Sequence, residues 1–593
     1  MKTHILWTWG LVFICLTACG GGEGPGGTPP GVADSSGESP PFEEAPPLHP
    51  PQSIPDGEPP PGPPVQSGPF HLPPLQVDLP SYDITIAPEL LAEFDRRPGL
   101  KAQAATFTFQ GKSQPVGLRL RGSSARSFPK RSWRIEFPEG VKFDGRRKHN
   151  LIAEYQDSTL MVEKLGYDLL EALGVPAPRA RYVRLTINGV YQGVYLDLER
   201  VDKDFLDHHN FDDDDASIYR CGARDCELKP WRMDYQTEWD KKTNEAVGPE
   251  DIHALEDAIC HTPEPSLVRT LEERMELERY LRYLVTDALI SNYVIQDSRS
   301  YFIHDRVTGR WSYVPWDVNN SVATWWPTYG LEMEPIADHP IFNFSLADPW
   351  ITRLYELRKT FTPGLLPTFS NLNTRIAFNP ELRERTLRLM ERALDEVFNP
   401  EVLHPRLEQM HALLLPHLKE DPYITRPDKY RQDGLAQFQA GLPYMKHYIT
   451  RRHAHIRQQI AAYRARSLGL ALSAFNPREG WVELHNYGLA PVSTHGMVLT
   501  KDLRRALTPN VPERTLAPGE TVRFTAAELG ITTPPPSATV TPGGPVGFPV
   551  RGEIGLFNGK SIVGVIDLLY YGELPAGRFY ARNAQEPARW EIR

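Results

Sequence analysis

The sequence predicts an α+β chain that ends in a separate all-β module, and three observations predict it. Residues 82–200 alternate apolar and polar positions in short runs divided by turn signals, which is the period of strands. Residues 266–465 repeat leucine and phenylalanine at helical spacing. From about residue 470 helices give way to short strands with Gly and Pro turns: Gly480–Leu484, Met497–Thr500, Thr521–Phe524, Glu553–Phe557 and Ser561–Leu568. That spacing fits a β-sandwich of about 120 residues. A length of 593 residues calls for two or three cores rather than one.

Lys2 and the apolar stretch Ile5–Leu16 read as a signal peptide, because the stretch is too short to span a bilayer. Leu16-Thr17-Ala18-Cys19 resembles a bacterial lipobox. The resemblance implies removal of residues 1–18 and a lipid on Cys19 that attaches the chain to a membrane. Plain secretion with cleavage near Ala18 is the alternative. Residues 19–80 are rich in Pro, Gly, Ser and Glu, and are expected to form an extended tether that cannot bury a core. The expected globular units are 81–466 and 467–593.

Asp83–Ile86 reads as a strand, Pro88–Phe94 as a short helix, and Ala105–Phe109 with Pro115–Leu120 as paired strands. Arg121-Gly122-Ser123-Ser124 then feeds a basic strand in which Trp133, Ile135 and Phe137 share one face and Ser132, Arg134 and Glu136 the other. A turn of this kind beside a basic strand can cradle phosphates, although such faces are commonly just solvated. A helix over Asp157–Leu173 is stopped by Gly174. Asn188-Gly189 marks a hairpin between Arg181–Ile187 and Val190–Leu198. The acidic run Asp212–Asp215 reads as a solvated loop, since no EF-hand spacing surrounds it. Cys221 and Cys226 suit a small-loop disulfide, and Cys260 a buried thiol. A helix-rich stretch over Ser266–Ile295 leads into a second hairpin, and helices follow at about 348–360, 380–398, 401–418 and 432–465.

That second hairpin carries the chemistry. Tyr301–His304 and Trp311–Trp316 are its strands, Asp305–Arg310 its turn, and Asp297 and Asp317 stand at its two ends. Two carboxylates brought together this way can share a divalent metal or divide the work of base and ligand; the alternative is a pair of turn or capping residues. A net charge of −10 without a basic cluster argues against a nucleic-acid partner. No HExxH helix, dinucleotide fingerprint or complete Ser/His/Asp motif is present.

Three blocks, RGSSARSFPKRSWRIEF, LIAEYQDSTLMVEKLGYDLLEALGVPAPRARYVRLTINGVYQGVYLDLERVDKDFL and YFIHDRVTGRWSYVPWDVNNS, resemble the CotH family, named for a spore-coat protein and including atypical secreted protein kinases. The resemblance covers roughly residues 80–465. It implies an atypical protein-kinase-like two-lobed domain with ATP and Mg2+ or Mn2+ between the lobes. It assigns phosphate contacts among Lys130, Arg131 and Arg134, and places Glu199 near the adenine or the lobe connection. Asp297 matches the catalytic aspartate and Asp317 the metal-binding one. The remaining metal positions, which the family often fills with an asparagine and an acid, hold Ser300 and Asn319. The C-terminal segment GWVELHNYGLAPVSTHGMVLTKD, with LAPGETVRF and GEIGLFNGKSIVGVIDLLYYG, resembles a lamin-tail domain, which implies an immunoglobulin-like sandwich for attachment. The expected function is a lipid-anchored kinase of the cell envelope, outer membrane or surface, acting on Ser or Thr of surface or secreted proteins. The alternative is an inactive relative that binds or builds.

Overall fold

A computed structural model describes residues 68–122, 124–221, 239–292, 300–319, 321–322, 337–349, 369–426, 433–505, 508–531, 547–559 and 564–593. The leader, Cys19 and most of the tether lie outside them, as does Asp297.

Seven strands close into a barrel: β1 (Ser81–Ile86), β2 (Gln103–Phe109), β3 (Lys112–Leu120), β4 (Trp133–Glu136), β5 (Lys148–Ile152), β6 (Ala180–Ile187) and β7 (Val190–Leu198), in the order β1-β2-β3-β4-β5-β7-β6. Closure comes from β1 lying parallel to β6, with Ile84 opposite Ile187. Asn188 and Gly189 both take positive φ, the type I′ geometry that a two-residue hairpin favours. The Asn188 side chain also accepts from Ile86 N–H and donates to Ile86 C=O, at 2.8 Å each, which ties the turn to β1. Alternation fills the barrel with Ile84, Phe107, Leu118, Leu120, Trp133, Ile135, Leu151 and Leu185. It turns Arg119, Arg134 and Asn150, which are paired across β3, β4 and β5, to the outside.

Helix α1 (Pro88–Arg96) leaves β1, and α2 (Val162–Ala172) leaves β5. Helix α2 starts later than expected because Asp157, held with Thr159 in a turn, accepts the Val162 N–H at 3.0 Å. After α3 (Lys203–His208) come β8 (Ser217–Cys221) and β9 (Trp239–Lys241), which join β10 (Ser300–Asp305) and β11 (Arg310–Pro315) in a sheet ordered β11-β10-β8-β9. The expected hairpin is therefore two strands of four. Cys221 is disulfide-bonded, its partner lying outside the described residues, and Cys260 is a free buried thiol. The acidic run is not merely solvated. Asp213 is buried and grips Arg306 at 2.7 and 3.0 Å, while Asp305 accepts the N–H groups of Asp212 and Asp213. These contacts fasten the run to the hairpin turn.

Helices α4 (Glu250–His261), α5 (Leu267–Arg274) and α6 (Leu277–Ile290) lead to the hairpin. The expected continuous stretch breaks between α5 and α6 because Glu276 N–H donates to Trp311 C=O at 2.9 Å, diverting the backbone onto β11. Helices α7 (Asn371–Phe378), α8 (Pro380–Glu396), α9 (Pro400–Leu418) and α10 (Gly434–Ala465) complete the helical half, and share one apolar core with α2 and α6. Gly68–Pro80 is packed against both this half and barrel strand β6, ahead of the boundary expected at residue 80. Phe70 is buried beneath Arg392 and Arg282, and Gln76 brackets the Tyr182 backbone at 2.7 and 2.9 Å.

The C-terminal domain has a five-stranded sheet, a three-stranded sheet and a two-stranded ladder. Its strands are β12 (Leu470–Asn476), β13 (Trp481–Asn486), β14 (Val492–Ser493), β15 (Val498–Thr500), β16 (Thr515–Leu516), β17 (Thr521–Thr525), β18 (Gly552–Phe557), β19 (Val565–Tyr571), β20 (Tyr580–Arg582) and β21 (Trp590–Ile592). Leu472, Phe475 and Val482 of one sheet and Leu556, Leu569 and Tyr571 of another meet in its core. It is seated on the helical half: Tyr570 OH donates to Asn371 at 2.7 Å, and Gly572 lies so close to His261 C=O that a Cβ would approach to 2.4 Å.

Candidate active site

The outer barrel face formed by β3, β4 and β5 is the place where positive charge outruns its compensation. Arg134 donates to Asn150 Oδ1 at 3.0 Å and has no ion pair among the described residues. Burial, and the guanidinium groups of Arg200, Arg119 and Arg121, press its pKa down to about 9. It remains charged at neutral pH, in a field that an anion would relieve. Arg119 is partly offset by Glu136 at 3.1 Å, and Arg200 by Asp202 at 3.6 Å.

The hairpin faces this cluster. Tyr301 pairs with Arg220 across β10 and β8, and burial raises its phenol against the opposing charges of Arg220, Arg200, Arg121 and Arg134. Trp316 lies edge-on to Tyr301 with centroids 5.9 Å apart, and Arg121 sits over the Trp316 ring at 5.3 Å. Asp317 follows at φ 60°, the left-handed region that Asp tolerates better than most residues. Val318 is buried with its Cγ2 where a Gly166 Cβ would stand at 2.9 Å, so α2 backs directly onto the hairpin's foot. Ser321 donates to Val318 C=O at 2.6 Å, and Val322 N–H to Ile290 C=O at 2.9 Å. These bonds fix the strand after Asp317 to the end of α6.

A second carboxylate group lies on the α2 side. Glu154 is buried at φ 47°, and its carboxyl lies within hydrogen-bonding reach of the Glu163 carboxyl. Burial, and then the neighbouring Glu163 carboxyl, push Glu154 well above the usual carboxylate range, with Arg121 opposing. Among the described residues no group of three or more His, Cys, Asp or Glu side chains forms a ready metal cage. The available donors are oxygens, the class that Mg2+ and Mn2+ prefer, and Mg2+ is ordinarily held by one or two carboxylates together with phosphate oxygens and water.

Residues 118–456, more than half of the chain, match the profile of the family described as CotH kinase protein. This chain belongs to the CotH family. It is 26% identical over 408 residues to the inner spore coat protein H of Bacillus subtilis (strain 168), an alignment that covers 65% of this chain and 99% of that protein. It is also 46% identical over 55 residues to an inner spore coat protein H-like protein of the same organism, covering 9% of this chain and 18% of that one. The CotH match contains all the candidate-site residues described above; β1, β2 and the C-terminal domain fall outside it.

Within this CotH domain the residues expected at the site divide sharply. Arg134 lies on the outer barrel face, and Asp317 follows the hairpin whose Trp316 packs beneath Arg121. Asn319, two residues on, is partly exposed. Ser300 opens β10 opposite Pro315, is buried, and has its hydroxyl against the Tyr313 phenol. Lys130 is committed elsewhere: its ammonium donates to Asp421 at 2.7 Å and Val194 C=O at 2.6 Å in a fully buried pair. Arg131 is spent on α1, pairing with Asp95 at 2.8 Å and Phe94 C=O at 3.2 Å. The Glu199 carboxylate is buried against His208 at 2.7 Å, His209 at 3.1 Å and the Arg179 N–H at 3.1 Å, which leaves it no face for a nucleotide. Asp297 lies outside the described residues.

Arg119, Arg200, Glu154 and Glu163 neighbour the expected residues without having been expected there. Arg119 is brought beside Arg134 by strand register, and Arg200 follows β7, so neither grouping is visible in spacing. Glu163 reads as an ordinary acid in a helix's first turn. Glu154 alone left a trace, a charge between Ala153 and Tyr155 in an otherwise apolar approach to α2.

Proposed function

We propose that this protein is an exported, lipid-anchored atypical kinase that transfers the γ-phosphate of ATP to Ser or Thr of surface or secreted proteins. In this reading the barrel and the helical half are the two lobes of a kinase-like fold. The C-terminal sheets form an immunoglobulin-like, lamin-tail-like attachment module. Cys19 carries the lipid in the envelope, at the outer membrane or surface. The observation that supports the proposal is the under-compensated Arg134 cluster, whose Arg121 lies over Trp316 of the hairpin that leads to Asp317.

Phosphoryl transfer needs little covalent chemistry from the protein; it needs positioning and charge neutralisation. Arg134, with Arg119, Arg121 and Arg200 around it, supplies positive charge for polyphosphate. In this reading Asp317 holds Mg2+ or Mn2+, with Asn319 two residues on. The bound cation supplies neutralisation of the charge on the phosphates. Asp297 is assigned the substrate hydroxyl's proton.

The test uses the full-length exported chain with labelled ATP and Mg2+ or Mn2+. Transfer to protein is expected, together with its loss in Asp317→Ala. Absence of both transfer and metal-dependent ATP binding defeats the proposal. A second reading, an inactive CotH-like binding or structural protein of the envelope or spore coat, draws support from Ser300. That side chain is occupied within the hairpin, and Asn319 brings no charge to a metal. ATP binding without transfer would favour it.

A further inference from the structure

Strand β19 is apolar on both of its faces, which a free sandwich does not need. Side chains alternate along a strand, and the outer face of a two-layer module is ordinarily polar. Here Ile566, Leu569 and Tyr571 join the domain's own core, while Val565, Leu568 and Tyr570 join a second cluster with Val498 of β15, Phe557 of β18 and Leu503. The helical half completes that cluster with Leu346, Phe369 and Phe378. Leu503 and Phe557 are 0% exposed and Tyr570 1%. Without the helical half these side chains would form one contiguous apolar patch, which soluble domains rarely leave uncovered.

Polar contacts fix the seating. Tyr570 OH donates to Asn371 Oδ1 at 2.7 Å, and its ring lies 5.2 Å from the Arg375 guanidinium. Arg375, itself buried, donates to Ile259 C=O at 2.7 Å and Thr262 C=O at 2.8 Å, so α7 also caps the end of α4. From α7 the contacts run on toward the hairpin. Ser370 N–H donates to Phe344 C=O at 2.8 Å, Leu346 N–H to Thr374 Oγ1 at 3.1 Å, and Asn373 Nδ2 to Asn343 C=O at 3.2 Å. Phe344 among them is buried at φ 56°, a conformation that a bulky side chain keeps only where its surroundings enforce it. Asn343 Nδ2 donates in turn to Asp287 Oδ2 at 2.7 Å and to Asn292 C=O, just past the end of α6.

We infer that the C-terminal domain is a permanent support of the candidate site: its β15–β18–β19 face holds the strained turn at Phe344, and Asn343 of that turn positions the chain at Asn292, where it leaves α6 for the hairpin. This role goes beyond the attachment that the proposed function gives the domain, and it rests on that reading only for what the hairpin does.

Hydrogen exchange of the full-length chain without nucleotide is the test. The amides followed are Ser291 and Asn292, which donate to Ala288 C=O and Asp287 C=O at 3.2 Å each. Gly572→Ala would place a methyl 2.4 Å from the His261 carbonyl oxygen and so pries the two halves apart. It should speed exchange at both amides about tenfold or more. Tyr570→Phe, which removes one bond and keeps the ring, should speed it about threefold. Asn343→Ala should act as strongly as Gly572→Ala, and the two together should add little to either alone. Val482→Ala is the control: it lies in the domain's own core, so it should lower the melting temperature yet leave these two amides at wild-type rates. Wild-type rates in both Gly572→Ala and Tyr570→Phe would overturn the proposal. Equal acceleration in Val482→Ala would also overturn it, because general destabilisation would then account for the effect. Should Gly572→Ala fail to fold, Tyr570→Phe decides alone. Exchange that responds as expected in a chain that binds no ATP would strike the kinase reading and leave this support standing.

Discussion

Lys130→Met separates two roles that the sequence left undivided, a phosphate contact and a structural latch. The Lys130 ammonium lies 2.7 Å from Asp421 and 4.8 Å from the centre of the Tyr195 ring, and both charged side chains are 0% exposed. Removing one partner of such a pair typically costs about 3–5 kcal/mol, because the other charge stays in a low-dielectric interior. Asp421 would keep the N–H groups of Val194 at 3.2 Å and Tyr423 at 2.9 Å, which places the cost near the lower end, about 3 kcal/mol. For a cooperative unit of roughly 400 residues, an unfolding entropy near 2.1 cal/mol/K per residue converts this to a fall of about 4 °C in Tm. Adding Asp421→Asn removes the stranded charge, so the double variant should recover more than about 1 kcal/mol relative to the additive sum. Scanning calorimetry reads the stability, and titration calorimetry with ATP and Mn2+ reads the site. Nucleotide affinity should be unchanged in Lys130→Met at temperatures where it is folded. An unchanged Tm with a tenfold or greater loss of ATP affinity would refute the latch and return Lys130 to the phosphate.

Gly193→Ala tests the same latch from the other side. Gly193 has φ 99° and a Cβ there would stand 2.0 Å from Asp421 Oδ2, so this one methyl should cost at least about 3 kcal/mol in urea unfolding. Glu199 gives a pH prediction. Burial raises its carboxyl, but His209, Arg179 and the Arg179 N–H outweigh burial and hold it at about 2, below its ordinary 4.5. A folded pKa below the unfolded one stabilises above about pH 4.5, and that stabilisation is lost as pH falls toward 2. The limb is on the order of 3 kcal/mol, and Glu199→Gln should flatten the urea midpoint's dependence on pH across that window. Arg134→Gln should lower ATP affinity about 10- to 100-fold, the worth of one charge-assisted hydrogen bond, with little change in Tm. Equal affinity in Arg134→Gln and wild type would remove the arginine face from the site.

Local structure was legible where one physical rule acted alone. Asn188-Gly189 announced its hairpin because only residues tolerant of positive φ fit a type I′ turn. The hairpin of β10 and β11 followed from alternation around Thr308-Gly309, and the C-terminal strands from their turns. The barrel was not legible, because closure depends on β1 meeting β6 across the four strands between them, and no local pattern encodes that pairing. The charged residues failed for a related reason. Lys130, Arg131 and Arg134 are alike in sequence and sit within five positions, yet a long-range partner decides each fate: Asp421 takes the first, Asp95 the second, and only the third is left with uncompensated charge. Ser300 and Glu199 were likewise claimed by neighbours that spacing does not reveal.

The barrel meets the helical half on two sides, and the two are unlike in their electrostatics. On the β7 side, Asp421 accepts from Lys130, Val194 and Tyr423, and Gly193 is there because nothing larger fits. Every polar group is used, and an arriving ligand would have to break a buried pair to gain a contact. On the β3–β5 side, Arg134 has an amide for its hydrogen-bond partner, and burial with the neighbouring guanidinium groups presses its pKa down to about 9. A guanidinium so placed is a charge that a phosphate would offset. In the proposed function the phosphate therefore belongs on this side, even though the sequence placed the first of its three basic candidates on the other.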